Sequence, residues 1–164
     1  APAARDTVAT RAQTESMTPM DGVTVDVTRS RVMNQFDLAA PSDTVWRAMM
    51  EVHAAIGIPI ATADQAKGTA MFMVQNRYRT ILEKPASQFL DCGTGPTGPK
   101  ADSYRLLIRV HHALAAAAGG HTVMTTGVES YATNPGVSGD PVPCVSNGRL
   151  ERDLAALIRT RLNP

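Results

Sequence analysis

Aromatic side chains are scarce in this 164-residue chain: one Trp, three Tyr and three Phe, 4% of the whole. A core cannot be built mainly from rings, so Ala, Val, Leu, Ile and Met must fill it. Cysteine is scarcer still. Cys92 and Cys144 stand far apart, with no Cys-x-x-Cys, which excludes a zinc ribbon and a thioredoxin-like redox centre. No run approaches 18 apolar residues, so no segment reads as a membrane-spanning helix. Neither charge dominates: 16 basic residues face 15 acidic ones, for a net +1. Interspersed as they are, they lack the concentrated basic patch that nucleic acid requires. No Gly-x-Ser-x-Gly, His-Glu-x-x-His or Asn-x-Ser/Thr pattern occurs.

Near misses are equally informative. "GTGPTGPK" departs from a phosphate loop because Pro99 separates Gly98 from Lys100 and Ala101 stands where a magnesium-binding hydroxyl belongs. Its prolines also remove amide donors. His111 and His112 are neighbours on a strand pattern, so they point to opposite faces and cannot chelate one metal together. A His112–His121 site across a hairpin is conceivable, but a core histidine and a loop histidine are the simpler reading. His53 sits on the apolar face of a helix, where a packed role is the default. The acids show no paired spacing, and Glu129 suits a cross-strand ion pair with Arg105 or Arg109. Met33, Met49, Met50, Met71 and Met73 can line an adaptable apolar surface, with core filling the plainer use. No metal ligand set, cofactor motif or catalytic group is expected.

What the sequence does contain is a cysteine pair in Gly/Pro-rich loops. A Cys92–Cys144 disulfide is the expected use, closing a loop of about 52 residues with a chain-entropy gain of roughly 4 kcal/mol. Such a bond belongs to an oxidising compartment. The start "APAARDTVAT" reads like residues left after signal-peptide removal. Periplasmic or otherwise extracytoplasmic placement, peripheral to a membrane, is therefore expected.

Along the chain, residues 1–20 are polar and aperiodic, and 21–164 read as a single domain. The first segment is expected to be an extended arm that becomes ordered only against another surface. Arg5, Val8, Arg11, Met17 and Met20 are its candidate partner contacts. "GVTVDVTRSRVMNQFDLAA" reads as one bent strand or two short ones. "PSDTVWRAMMEVHAAIGIP" reads as a helix capped by Ser42 and ended by Gly57. Its inner face is Val45, Trp46, Met49, Val52, His53 and Ile56. Strands follow at "GTAMFMVQNRYRTILE", "SQFLDCG", "DSYRLLIRVHHAL" and "HTVMTTGVESYA", with "AAAAGG" as a hairpin connection. "TNPGVSGDPVPCVSNG" reads as a long loop. "GRLERDLAALIRTRL" reads as an amphipathic helix with Leu150, Leu154, Leu157, Ile158 and Leu162 inward, and Arg149 and Asp153 spaced as an outer pair. The class is α+β: a curved, mostly antiparallel sheet packed against one helix in the N-terminal half and one at the C-terminus.

The stretch "APSDTVWRAMMEVHAAIGIPIATADQAKGTAMFMV", with Trp46, Gly57, Ile58, Ile60, Asp64 and Gly68 as its fixed points, resembles outer-membrane assembly lipoproteins of the BamC type. "FDLAAPSDTVWRAM" is similar to the opening of START-type helix-grip domains. The resemblance spans about 35 residues and departs from the first family in having no lipid-bearing cysteine. It implies a helix-grip fold and a scaffold or binding role, and it carries no catalytic residue.

Taken together, these features lead to the expectation of a non-enzymatic accessory or scaffold subunit. Its partners would be protein subunits of a membrane complex rather than nucleic acid. The alternative is a carrier of a small apolar ligand, held between the sheet and the C-terminal helix.

Overall fold

The computed structural model describes residues 7–17, 25–137 and 139–164, and the side chains from residue 33 onward within those ranges. The chain runs β1 (Thr7–Met17), β2 (Val25–Leu38), α1 (Ser42–Ile56), β3 (Ile60–Asp64) and β4 (Thr69–Tyr78). Two short hairpin strands, β5 (Thr80–Ile81) and β6 (Lys84–Pro85), precede β7 (Leu90–Asp91). A second small pair, β8 (Thr94–Gly95) and β9 (Gly98–Pro99), leads to β10 (Arg105–Ala117), β11 (His121–Thr133), β12 (Val142–Ser146) and α2 (Arg149–Leu162). The expected α+β architecture is present: a sheet in the order β1-β2-β11-β10-β4-β3, with β12 pairing both β11 and β7. Its pairings are antiparallel throughout.

Alternation sets the faces of the sheet. On β10, Leu106, Ile108, Val110 and His112 are buried, as their period-2 spacing requires. They meet Phe72 on β4 and Phe36 and Leu38 on β2, all at most 2% exposed. Helix α1 covers this layer with Val45, Met49 and Val52, and α2 with Leu150, Leu154 and Ile158. Trp46 is 9% exposed on the same side of α1. "AAAAGG" divides as expected: Ala115–Ala117 continue β10, and residues 118–120 make the turn into β11.

Four details differ from the sequence expectations. Pro41, not Ser42, is the N-cap of α1; Ser42 Oγ instead lies 3.2 Å from Thr122 Oγ1 and ties the helix start to β11. The loop after β11 contains β12, because Ser130, Tyr131 and Ala132 offer it an edge to pair with. Leu157 is 38% exposed rather than inward. Asp153 pairs with Lys84 at 3.7 Å, while Arg149 lies over the Phe89 ring.

The two long N-terminal strands have an unequal relation to the rest. β2 pairs with β11 only from Met33 to Leu38. Among the described residues, 25–32 of β2 pair with β1 alone. The hairpin therefore runs past the main sheet as a two-stranded ribbon, roughly 27 Å long at about 3.4 Å per residue.

Candidate functional site

Cys92 and Cys144 are joined, with a Cα–Cα separation of 4.2 Å. Cys144 lies on β12, opposite Ser130, and Cys92 follows β7, which pairs with β12's far end at Val145 and Ser146. The bond thus fastens the last strand to the loop after β7. Among the arm residues, Val8, Arg11 and Met17 lie on β1, in register with Asn34, Arg31 and Val25. Arg5 and Met20 fall outside the described residues.

One buried polar group is a pairing that the sequence did not reveal. His53 on α1 and His112 on β10 meet through their Nε2 atoms at 2.8 Å. Thr126 Oγ1, one strand over, is 2.8 Å from His112 Nδ1. Phe72 stacks on His53 with ring centroids 3.7 Å apart. Both histidines are at most 2% exposed. Burial pushes His53 down to about 4, against a smaller raising influence from the backbone of Ile58. Burial first, then the neighbouring His53 and His111, holds His112 well below the ordinary histidine range. Both rings are therefore neutral near pH 7. One nitrogen of the contact must donate and the other accept, so the tautomers of the two rings are locked to each other. Closed off from solvent and bounded by Phe72, the pair is a polar clasp between helix and sheet. His121, the partner weighed for His112 on spacing alone, bonds Asp37 Oδ2 at 2.8 Å instead.

A second buried polar contact anchors α2. Ser146 Oγ lies 2.8 and 2.9 Å from the two carboxylate oxygens of Glu151, and Glu151 is fully buried. Burial raises its pKa, partly opposed by its own backbone amide, by Ser146 and by Arg152.

Concave surface occurs where α1, α2 and the turn after β4 meet. A groove of about 580 Å³ is floored by Ile56, Leu82, Ala156 and Leu157 and rimmed by Arg77 and Glu83. The Lys84–Asp153 ion pair, 3.7 Å long, lies at its edge. Asn76, Arg79, Leu82 and Glu83 all have positive φ, between 49° and 67°. Residues other than Gly pay for that conformation, and four in eight positions mark the end of β4 and the turn beyond it as held by their surroundings. The space between sheet and helices, by contrast, is filled by side chains with 0–3% exposure, among them Phe36, Ile108, Leu150 and Leu154.

No family model and no curated protein matches the chain. Among solved structures, it is similar to CalU16 from Micromonospora echinospora at 11% identity and a TM-score of 0.35, covering 95% of this chain and 87% of that one. It is also similar to a DUF4468 family protein from Bacteroides ovatus at 13% identity and a TM-score of 0.36, covering 81% and 78%. At scores this low, neither says what this chain does.

Proposed function

We propose that this chain is a non-enzymatic accessory or scaffold subunit of a larger membrane-associated assembly outside the cytoplasm, and that it joins that assembly along β1 and the ribbon β1 forms with β2. The observation that carries this reading is the ribbon itself. A two-stranded hairpin is marginal in water unless a third strand or a packed face supports it. Among the described residues, 25–32 pair with β1 only, and β1 is the end of the strand order. An open strand edge is a ready template for β-augmentation by a partner chain. The disulfide suits an oxidising compartment, and no helix among the described residues is long and apolar enough to cross a membrane.

The test is native mass spectrometry of the full chain solubilised gently from its source membrane, beside a variant lacking residues 7–17. The proposal expects a stable complex with other subunits that the variant fails to enter. A monomer in the first sample, or an unchanged complex in the second, overturns it.

A second reading, binding of a small apolar ligand, is favoured by the groove at Leu82 and Leu157. It relocates the ligand from the space between sheet and α2, which side chains occupy, to the outer junction of the two helices. Displacement of a fluorescent fatty-acid probe, weakened by Leu157→Asp, is its expected signature. A chain that leaves the probe dark removes this reading.

A further inference from the structure

Two segments of the chain have a claim on one edge of β11. β2 pairs with that edge from Leu38 opposite Thr122 to Met33 opposite Gly127. In this last pair the missing side chain of Gly127 leaves room for the Met33 sulfur. In an antiparallel ladder, each step back along one strand is a step forward along the other. Continued without a slip, the same register sets Ser30 opposite Ser130, Arg29 opposite Tyr131 and Thr28 opposite Ala132. Those three residues of β11 are the ones that β12 holds: Ser130 faces Cys144, Tyr131 faces Pro143 and Ala132 faces Val142. A strand has two edges. β1 takes one edge of β2 from residue 25 to residue 35, and β11 takes the other from residue 33 to residue 38. Among the described residues, no strand takes that second edge from residue 25 to residue 32, and it is the edge on the β11 side. By its own sequence β12 is the weaker claimant. Pro143, the middle one of its three paired residues, has no N–H to give, whereas Thr28, Arg29 and Ser30 each have one. What favours β12 is its attachment. Cys144 is bonded to Cys92, and Val145 and Ser146 pair with β7. The disulfide holds the very residue that meets Ser130, so β12 has little chain entropy left to lose on pairing.

We infer that β12 and residues 28–30 of β2 are alternative partners for Ser130–Ala132, and that the Cys92–Cys144 bond makes the choice. Closed, the bond seats β12 and leaves the inner edge of the ribbon free. Opened, it releases β12, and β2 continues along β11. A dithiol opens the bond by exchange: its two sulfurs join, and its two thiol hydrogens pass to Cys92 and Cys144. The exchange of strands needs no slip in register, so Asn34, Phe36 and Leu38 stay on the buried face they already occupy. It is a property of the chain alone. Its bearing on docking rests on the scaffold role proposed above: the oxidised chain offers its ribbon to a partner, and the reduced chain withdraws it into the sheet.

Hydrogen exchange followed by NMR on the isolated full chain tests this, with the bond intact, after dithiol treatment, and in a Cys92→Ser, Cys144→Ser variant. Alternate amides of a strand point to opposite edges, so every second amide of residues 27–32 reports on the inner edge. With the bond intact, these are expected to exchange freely while β12 is protected. Without it the order reverses: they slow by about tenfold or more, β12 exchanges freely, and Ser130–Ala132 stay protected because their edge changes hands. A trap reads the same choice in a chain carrying Ser30→Cys, Ser130→Cys and Cys92→Ser, with Cys144 retained. Position 130 then has two possible partners, and either bond closes a long loop that keeps the chain folded. Oxidation by diamide, which takes up the two thiol hydrogens, is expected to join positions 30 and 130. A bond between positions 130 and 144 overturns the inference. So does a folded, bond-free chain in which residues 27–32 still exchange freely, or one in which Ser130–Ala132 lose protection together with β12. None of these measurements needs a partner, so their failure leaves the scaffold role standing, and loss of the scaffold role leaves the strand exchange standing.

Discussion

At the scale of the residue, the His53–His112 contact makes the clearest pH prediction. The unfolded chain takes up protons on these rings near the ordinary pKa of about 6.5, whereas the folded chain resists, His53 until about 4. The unfolded state therefore binds more protons in that window, and stability rises with pH through it. It is fully present above about pH 6.5 and drains as the pH falls towards 4, at about 1.4 kcal/mol per pH unit for each ring. Urea midpoints at pH 7, 6 and 5 should descend accordingly, and His53→Gln should roughly halve the slope. A flat profile would show that the rings are not neutral and sequestered in the fold. Trp46 makes a simpler demand. It is 9% exposed on the inner side of α1, and Trp46→Ala should cost roughly 3–5 kcal/mol in chemical denaturation.

At the scale of the element, the disulfide has the largest expected effect. β12 has only five residues, and it pairs with three residues of β11 and two of β7. The Cys92→Ala, Cys144→Ala variant releases a 52-residue loop and should lose roughly 4 kcal/mol. Urea titration measures the loss directly, and hydrogen exchange should rise first in β12. The sequence made the elements that obey one rule easy to see. Helix α1 has its apolar stripe and Gly57 at its end, and β10 alternates without a break from Arg105 to His112. It concealed elements decided elsewhere in the chain. β12 is a strand because Ser130–Ala132 present an edge, and nothing in "PVPCVS" alone says so. Ser42 looks like a cap, but Thr122, eighty residues away, claims its hydroxyl. The disulfide was legible because two cysteines leave one pairing. The His53–His112 contact was not, since two inward histidines on different elements carry no mark of meeting. Likewise, Gly127 looked like an ordinary small residue until the register set it beside Met33.

At the scale of the molecule, the domain and the ribbon make separable contributions. Only Thr7, Val8 and Ala9 of β1 lie against the part of β2 that is paired within the main sheet, at Met33–Gln35. The rest of β1 pairs with residues 25–32, which pair with no other strand among the described residues. Deleting residues 7–17 should thus leave the melting temperature of the isolated chain nearly unchanged while abolishing its retention in the assembly. A large fall in melting temperature with the assembly intact would show that the ribbon serves the domain rather than a partner.

The pairing of β2 with β11 also governs time. Leu38 meets Thr122, and Asp37 meets His121 across a separation of 84 residues. During synthesis β2 is complete long before the strand that will flank it exists. Contacts so distant along the chain slow the search for the native state into the millisecond-to-second range. Until β11 arrives, the inner edge of β2 stays unsatisfied and open to wrong partners. Cys144 lies beyond β11, so the disulfide too can close only after that strand has been made, and the bond seals a pairing that the chain has already had to find.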